Sequence, residues 1–264
     1  MYRLLALDLD GTLLRHDKTV DPRDVAAIEE LRRSGVTVTI ATGRLRTGSI
    51  AAARACGIDG AIACMEGSHL VEVDGSITHA HHPIAKPALV REAFDGLASF
   101  VFDQHAIHHE KIGEPFAPYI STWSPDLRVV EEAVAWQTEP LAAVAIGDEA
   151  HVARVANALR EQTDLFVVNF AITHLPGDRH AVLVRAKGPT KGTALAQLCE
   201  RAGCTLAEAV VVGDWLNDVP MFEVAGRSFA MGGAPPAVAS KATDMLERLT
   251  GAGGGIAEAI RRAF

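Results

Sequence analysis

The sequence predicts an α/β fold, a parallel sheet with helices on both faces, carrying an inserted α+β unit. Two observations predict the sheet and a third predicts the insertion. Three apolar runs share one grammar, ending abruptly at a polar residue: Leu4-Leu5-Ala6-Leu7 at Asp8, Val36 to Ala41 at Thr42, and Ala209 to Gly213 at Asp214. Near-continuous apolar runs separated by helical patterns are what a parallel sheet covered on both faces requires. Between roughly 83 and 186 that grammar gives way to short strands and helices in another order.

Each element follows in turn. Asp21-Pro22 opens a helix running through Ser34, with Val25, Ile28 and Leu31 on one face and Gly35 as its stop. A second helix opens at Thr190 or Lys191 and runs to Ala202, before Gly203. Within the insertion, Pro83 to Ala98 reads as helical, and Ser99 to Gln104 and His105 to Glu110 as short strands. Leu141 to Ile146 is a further strand, Glu149 to Glu161 a helix, and Leu165 to Phe170 and Ala181 to Val184 the closing strands. Gly113 to Asp126, with its prolines, reads as a surface loop. The domain reading is therefore a core of 1–82 and 187–264 interrupted by 83–186, a size typical of a domain.

Composition narrows the function. With 264 residues, 48% hydrophobic and 22% charged, the chain has material for two packed cores and no disordered tract. A net charge of -8 argues against neutralising a nucleic-acid backbone, so no nucleic-acid partner is expected. The N-terminus turns acidic at Asp8, too early for a secretory signal, and no apolar run approaches the roughly 18 residues of a membrane helix. Cys56, Cys64, Cys199 and Cys204 form no CxxC pair and read as reduced thiols. A cytoplasmic protein with no membrane partner is the expectation; oligomeric state has no signature in the sequence.

The chemistry gathers at strand ends. In open α/β sheets ligands bind beyond the carboxyl ends of the strands, where Asp8, Thr42 and Asp214 all fall. Asp8-Leu9-Asp10-Gly11-Thr12 places two carboxylates at one strand mouth, and Gly213-Asp214-Trp215-Leu216-Asn217-Asp218 adds more. Such crowding is costly unless a cation answers it, and an oxygen-rich site suits magnesium. Lys191 adds a positive charge and Thr42 a hydroxyl, which together describe a pocket for a phosphate dianion bridged to a metal.

Four ordered segments carry a resemblance: Asp8-Leu9-Asp10-Gly11-Thr12-Leu13-Leu14, Ala41-Thr42-Gly43-Arg44, Pro189-Thr190-Lys191-Gly192-Thr193-Ala194-Leu195, and Gly213-Asp214 with Asn217-Asp218. They resemble the four motifs of the haloacid dehalogenase superfamily, and their setting resembles its Cof-type phosphatases with a type IIB cap. Phe229-Ala230-Met231-Gly232, Ala242-Thr243-Asp244 and Gly255 to Ile260 are similar to that subfamily's closing segments. The resemblance spans the core; the insertion matches in size and position only.

It implies a Rossmann-like core and a magnesium-dependent phosphatase acting on small phosphorylated metabolites, such as sugar phosphates or phosphorylated cofactors. It further implies Asp8 as nucleophile, Asp10 as acid and then base, and Thr42 and Lys191 as the groups orienting phosphate. Magnesium would be held by Asp8, Asp214 and the main-chain carbonyl of Asp10. Thr42, Gly43, Lys191 and Asn217 would bind substrate, with Asp218 holding metal waters or Lys191. A phosphomutase would share this chemistry, and a phospho-accepting receiver would share some of its residue types.

Other features are read as background. His79, His81, His82, His105, His108 and His109 read as surface polarity rather than a metal site. Gly251 to Gly255 lacks the arrangement of a nucleotide cradle and reads as a stretch that relaxes the chain before the last helix. Two positions depart from the resemblance. Met65-Glu66-Gly67 stands where relatives usually carry Asn-Gly, putting a negative charge near the domain junction, and Gly232-Gly233-Ala234 stands where they often have Gly-Asn-Ala. Trp215 either packs against the insertion or lines the substrate pocket.

Overall fold

A computed structural model describes residues 1–173 and 175–264. The chain divides into two compact units, Met1–Ala80 with Thr190–Phe264, and His81–Pro189.

The first unit is built on a five-stranded, wholly parallel sheet in the order Asp244–Leu249, Arg227–Gly232, Ala209–Gly213, Leu4–Leu7, Thr37–Ile40. The central strand Leu4–Leu7 is buried throughout and pairs on one side with Ala209–Val212 and on the other with Thr37–Ile40. Its alternating residues feed two apolar layers. Leu5 and Leu7 face one with Ile28, Ile40 and Ile256; Leu4 and Ala6 face the other with Leu195, Leu198 and Met221. Burial on both faces explains why these strands read as unbroken apolar runs. It also puts their polar terminal residues, Asp8 and Asp214, at one edge of the sheet.

The helix predicted at Asp21 spans Pro22–Arg33, with the Asp21 side chain accepting the Arg23 N–H as N-cap. Asp24, on its first turn, is fully buried and accepts the N–H groups of Gly254 and Ala257, both at 2.8 Å. It thereby caps the last helix, Gly255–Ala263, a long-range role no local pattern announces. The third-motif helix spans Lys191–Arg201, and a reciprocal Thr190–Thr193 capping box sets its start.

A small sheet of Ala61–Cys64, His69–Glu72 and Thr78–His81 leads out of the first unit. The inserted unit carries a six-stranded sheet in the order Leu165–Ile172, Arg179–Ala186, Ala142–Gly147, Ala98–Phe102, Ile107–His109, Leu127–Val129, antiparallel except for the last pair. Its core joins Val101, Ala143 and Val182 to Val90 and Phe94 and to Val152, Ala156 and Leu159 of the helix Glu149–Arg160. The expected α/β core and inserted α+β unit are both present.

Several local readings change. The helix expected from 83 to 98 is Pro87–Ala93, ended before Ala98 enters the sheet. Gly113 to Asp126 is not a plain loop. It contains a 3-10 turn, Lys111–Phe116, and a helical turn, Ala117–Ile120, whose Pro118 is accommodated in the first turn where no N–H partner is lost. The strand pair expected at 99–110 shortens to Ala98–Phe102 and Ile107–His109, because Asp103 folds the connection back on itself. Its carboxylate accepts from His105 N at 2.7 Å, Ala106 N at 2.8 Å and His108 Nε2 at 2.8 Å. His108 and His109 are consequently buried, which corrects their reading as surface residues; His82 and His105 are exposed. Among the described residues no helix is long and apolar enough to cross a membrane.

Candidate active site

The strand Leu4–Leu7 delivers Asp8 to the sheet edge, held there by its N–H on Val212 O at 3.0 Å. Gly11 follows with φ of 83°, a backbone that side chains rarely adopt, and a Cβ there would lie 2.4 Å from Asp214 Oδ2. The loop can pass this close to the neighbouring strand end only because residue 11 has no side chain. Thr12 is buried, and its hydroxyl donates to Asp214 Oδ1 at 3.0 Å, tying the first and fourth motifs together.

Lys191 joins the third motif to both. It is fully buried at the first turn of its helix, and its Nζ donates to Asp8 Oδ1 at 2.5 Å and Asp218 Oδ1 at 2.6 Å. Asp218 uses its other oxygen on the N–H groups of Asp214 at 2.8 Å and Trp215 at 2.9 Å. One carboxylate therefore shapes the fourth-motif loop and anchors the ammonium. Candidate ligand oxygens of Asp8, Asp214 and Asp218 all lie within 4.8 Å of one another.

The electrostatics are those of a cluster short of positive charge. Burial raises the Asp8 carboxyl well above its ordinary range; Lys191 opposes this, and the charges of Asp218 and Asp214 add to it. Asp214 is pushed up to about 6, first by burial and then by Asp218. Burial alone would lower the Lys191 ammonium, but Asp218, Asp8 and Glu66 more than reverse this and raise it. Three buried carboxylates crowd around one ammonium. A divalent cation is what such a set accommodates, and an all-oxygen donor set fits magnesium. The residues present thus fit the metal the sequence implied.

Asp10 is placed differently. Its side chain is half exposed and held by Arg44, through Nε to Oδ2 at 2.7 Å and Nη2 to Oδ1 at 2.6 Å, and by Lys18 at 3.0 Å. Burial pushes this carboxyl up, but Arg44 and Lys18 outweigh it and leave it lowered. Thr42 is buried at the end of the neighbouring strand, its N–H on Ala63 O at 2.9 Å and its Oγ1 accepting from Arg44 N at 3.1 Å. No helix starts there, so Thr42 is not a helix cap. Asn217 donates through Nδ2 to Glu66 Oε1 at 2.8 Å. Trp215 is largely exposed.

The structure thus brings Asp8, Lys191, Asp214 and Asp218 into one contact network. Thr42 and Gly43 lie on the adjoining strand end, and Asn217 is linked through Glu66. Sequence reasoning assigned no role to Thr12, Arg44, Lys18 or Glu66. The first two sit inside the quoted motifs and Glu66 at a noted departure; Lys18 carries no local signal.

This arrangement agrees with comparison to known proteins. A profile of the haloacid dehalogenase-like hydrolase family matches residues 5–260. The chain belongs to that family. It is 28% identical to a pyridoxal phosphate phosphatase of Escherichia coli, over 92% of this chain and 93% of the relative. It is also 28% identical to a phosphoglycolate phosphatase of Halobacterium salinarum, over 94% and 92%. A haloacid dehalogenase-like hydrolase from Bacteroides thetaiotaomicron superposes with a TM-score of 0.86 at 23% identity, covering 100% of both chains, and so shares the fold. The resemblance to Cof-type phosphatases is borne out, and with it the expectation of a phosphoric monoester hydrolase.

Proposed function

We propose that this chain hydrolyses small phosphomonoesters, sugar phosphates or phosphorylated cofactors, through an aspartyl-phosphate on Asp8, with magnesium as cofactor. The observation that carries the reading is Lys191, buried between Asp8 and Asp218 with Asp214 beside them. A fully buried ammonium spanning two strand-end loops is costly unless the charges it meets are used.

Asp8 attacks phosphorus through its free carboxylate oxygen, splitting a slow displacement into two easier steps. Lys191, charged at every working pH, opposes the burial that raises the Asp8 carboxyl and meets the equatorial phosphate oxygens as their charge grows. The Thr42 hydroxyl and Gly43 N–H orient the same oxygens, and Asn217 contacts substrate. Asp218 fixes Lys191 and the fourth-motif loop. Asp8, Asp214 and the main-chain carbonyl of Asp10 would hold magnesium, which when bound supplies positive charge between nucleophile and phosphate. Asp10, held as a carboxylate by Arg44 and Lys18, is suited to take the proton of the water that hydrolyses the aspartyl-phosphate. In the preceding step Asp10 would carry a proton to the leaving oxygen, a form that the Arg44 and Lys18 contacts disfavour.

The inserted unit serves as a cap that selects the leaving group, with domain limits near 82 and 187. Two relatives with different named substrates over nearly the whole chain support a shared reaction with variable selection. Four free cysteines, three of them buried, support a cytoplasmic setting.

The test is steady release of inorganic phosphate from an aryl phosphate with magnesium, together with mass spectrometry of acid-quenched protein. Catalytic turnover and a labelled peptide containing Asp8 are expected. Isomer formation from a sugar phosphate, without phosphate release, would move the assignment to a phosphomutase, and one lasting phosphate per chain to a receiver.

A further inference from the structure

The glycine stretch 251–255 is not slack chain, for the structure pins it at both ends. Thr250 N–H donates to Gly232 O at 2.8 Å, and Gly254 N–H donates to the fully buried Asp24 carboxylate, also at 2.8 Å. Between these anchors Gly251 reaches across to the first motif. Its N–H donates to Gly11 O at 2.7 Å, and its carbonyl accepts the His16 N–H at 3.1 Å. One residue thereby holds two points of the loop that follows Asp10, using main-chain groups alone. The approach is close: a Cβ on Gly11 would lie 2.8 Å from Thr250 Cγ2.

Groups assigned to the chemistry hang from those two points. Gly11 lies between Asp10 and Thr12, and the Thr12 hydroxyl holds Asp214 at 3.0 Å. His16 leads into a turn closed by Arg15 N–H on Thr19 O at 2.9 Å, and that turn carries Lys18, whose Nζ meets Asp10 Oδ1 at 3.0 Å. A displacement at residue 251 is therefore passed to Asp214 through one bond and to Asp10 through the other. Both bonds need Gly251 at its φ of 68°. Glycine adopts that left-handed backbone freely and asparagine tolerates it, whereas a β-branched residue is strongly disfavoured there.

We propose that Gly251 is a positioning residue for phosphoester hydrolysis: its left-handed backbone sets the loop 11–19 and so fixes where the Asp10 and Asp214 carboxylates stand. Lys191 and Thr42, which meet the phosphate oxygens, are held by other elements, Lys191 by its own helix and Thr42 by Ala63 O. The effect therefore falls on turnover and spares substrate binding. The assignment rests on the phosphatase reading, whose own test is turnover of an aryl phosphate.

The experiment compares substitutions at 251 that differ in their tolerance of a left-handed backbone, all in a His16→Ala chain that also serves as reference. That background is needed because a Cβ at 251 would lie 2.5 Å from the exposed His16 ring. With 4-nitrophenyl phosphate and saturating magnesium, Gly251→Val should lower kcat about tenfold or more, since a misplacement of about 1 Å can cost about a hundredfold. KM should stay within about twofold, and Gly251→Asn should keep most of the reference kcat. Gly251→Ala, milder than valine, should lose less and serves if Gly251→Val does not fold. Gly35→Val is the control for strain alone: Gly35 is also left-handed, with φ of 92°, and has open space around its Cβ position. It should lower the melting temperature and leave kcat unchanged. Hydrogen exchange across residues 9–20 should quicken in Gly251→Val and not in Gly35→Val. Reference kcat in Gly251→Val, an equal loss in Gly251→Asn, or an equal loss in Gly35→Val would overturn the assignment. Absence of turnover in the wild-type protein would instead sink the phosphatase reading, and exchange alone would then judge Gly251: unchanged protection of residues 9–20 in Gly251→Val would overturn its role.

Discussion

The two units treat buried charge in opposite ways. In the inserted unit Asp103 is surrounded by donors from its own turn and from His108, and although burial pushes its carboxyl up, these donors bring it down to about 2. In the first unit Asp8, Asp214 and Asp218 share a single ammonium, and Asp8 and Asp214 are raised. Asp103 is charge placed to hold a turn, complete in itself. The trio is charge placed for something not supplied by the chain, and such unrelieved crowding marks a functional site.

The largest expected effect follows directly. Asp8→Asn removes the nucleophile and should lower turnover of an aryl phosphate by at least about a thousandfold. Because it also removes one of the crowded charges, the same variant should melt no lower than wild type. A variant that keeps near-normal turnover would remove Asp8 from the chemistry. Lys191→Met is the converse. It leaves the carboxylates uncompensated, and breaking a buried pair costs about 3–5 kcal/mol. Scanning calorimetry should show the first unit destabilised, and hydrogen exchange should show strands such as Ala142–Gly147 of the inserted unit unchanged.

Magnesium should sharpen the contrast. At a hundredfold excess over its dissociation constant a native-state ligand adds about 2.7 kcal/mol. That gain should appear in the first unit, vanish in Asp214→Asn and be absent from the inserted unit, while excess chelator silences turnover. Equal protection of both units by magnesium would dissolve the distinction.

The smallest effect is in pH, and its sign differs between the units. Asp214 in the metal-free protein holds its proton more tightly when folded than at its ordinary value of 3.8. Its contribution to stability is therefore full below about pH 4 and lost as pH rises through about 6. Asp103 is the reverse, contributing fully above about pH 4 and losing that contribution as pH falls toward 2. Without metal, replacing Asp214 by Asn should flatten the stability profile between pH 4 and 6. Asp103→Asn should flatten it only below pH 4. The two variants changing the same pH range would contradict the assignment of these shifts.

The sequence by itself determined the sheet and the motif residues. Leu4–Leu7 and Ala209–Gly213 are buried on both faces, so their apolar runs are visible without neighbours, and the first polar residue after each marks the functional edge. Lys191 could be placed at a helix start from Thr190 and Gly203 alone. Only the tertiary structure decided what those residues meet. That Lys191 bridges Asp8 and Asp218, that Thr12 holds Asp214, and that Asp10 is clamped by Arg44 and Lys18 are contacts between residues up to 202 positions apart. Local spacing carries no record of them. The same holds for Glu66: its presence was legible as a departure, but the amide it meets depends on the Thr42 and Asp214 loops converging on it. Propensity and periodicity act over one or two turns of chain, whereas hydrogen-bond polarity and charge compensation are settled only when distant strand ends arrive at one edge.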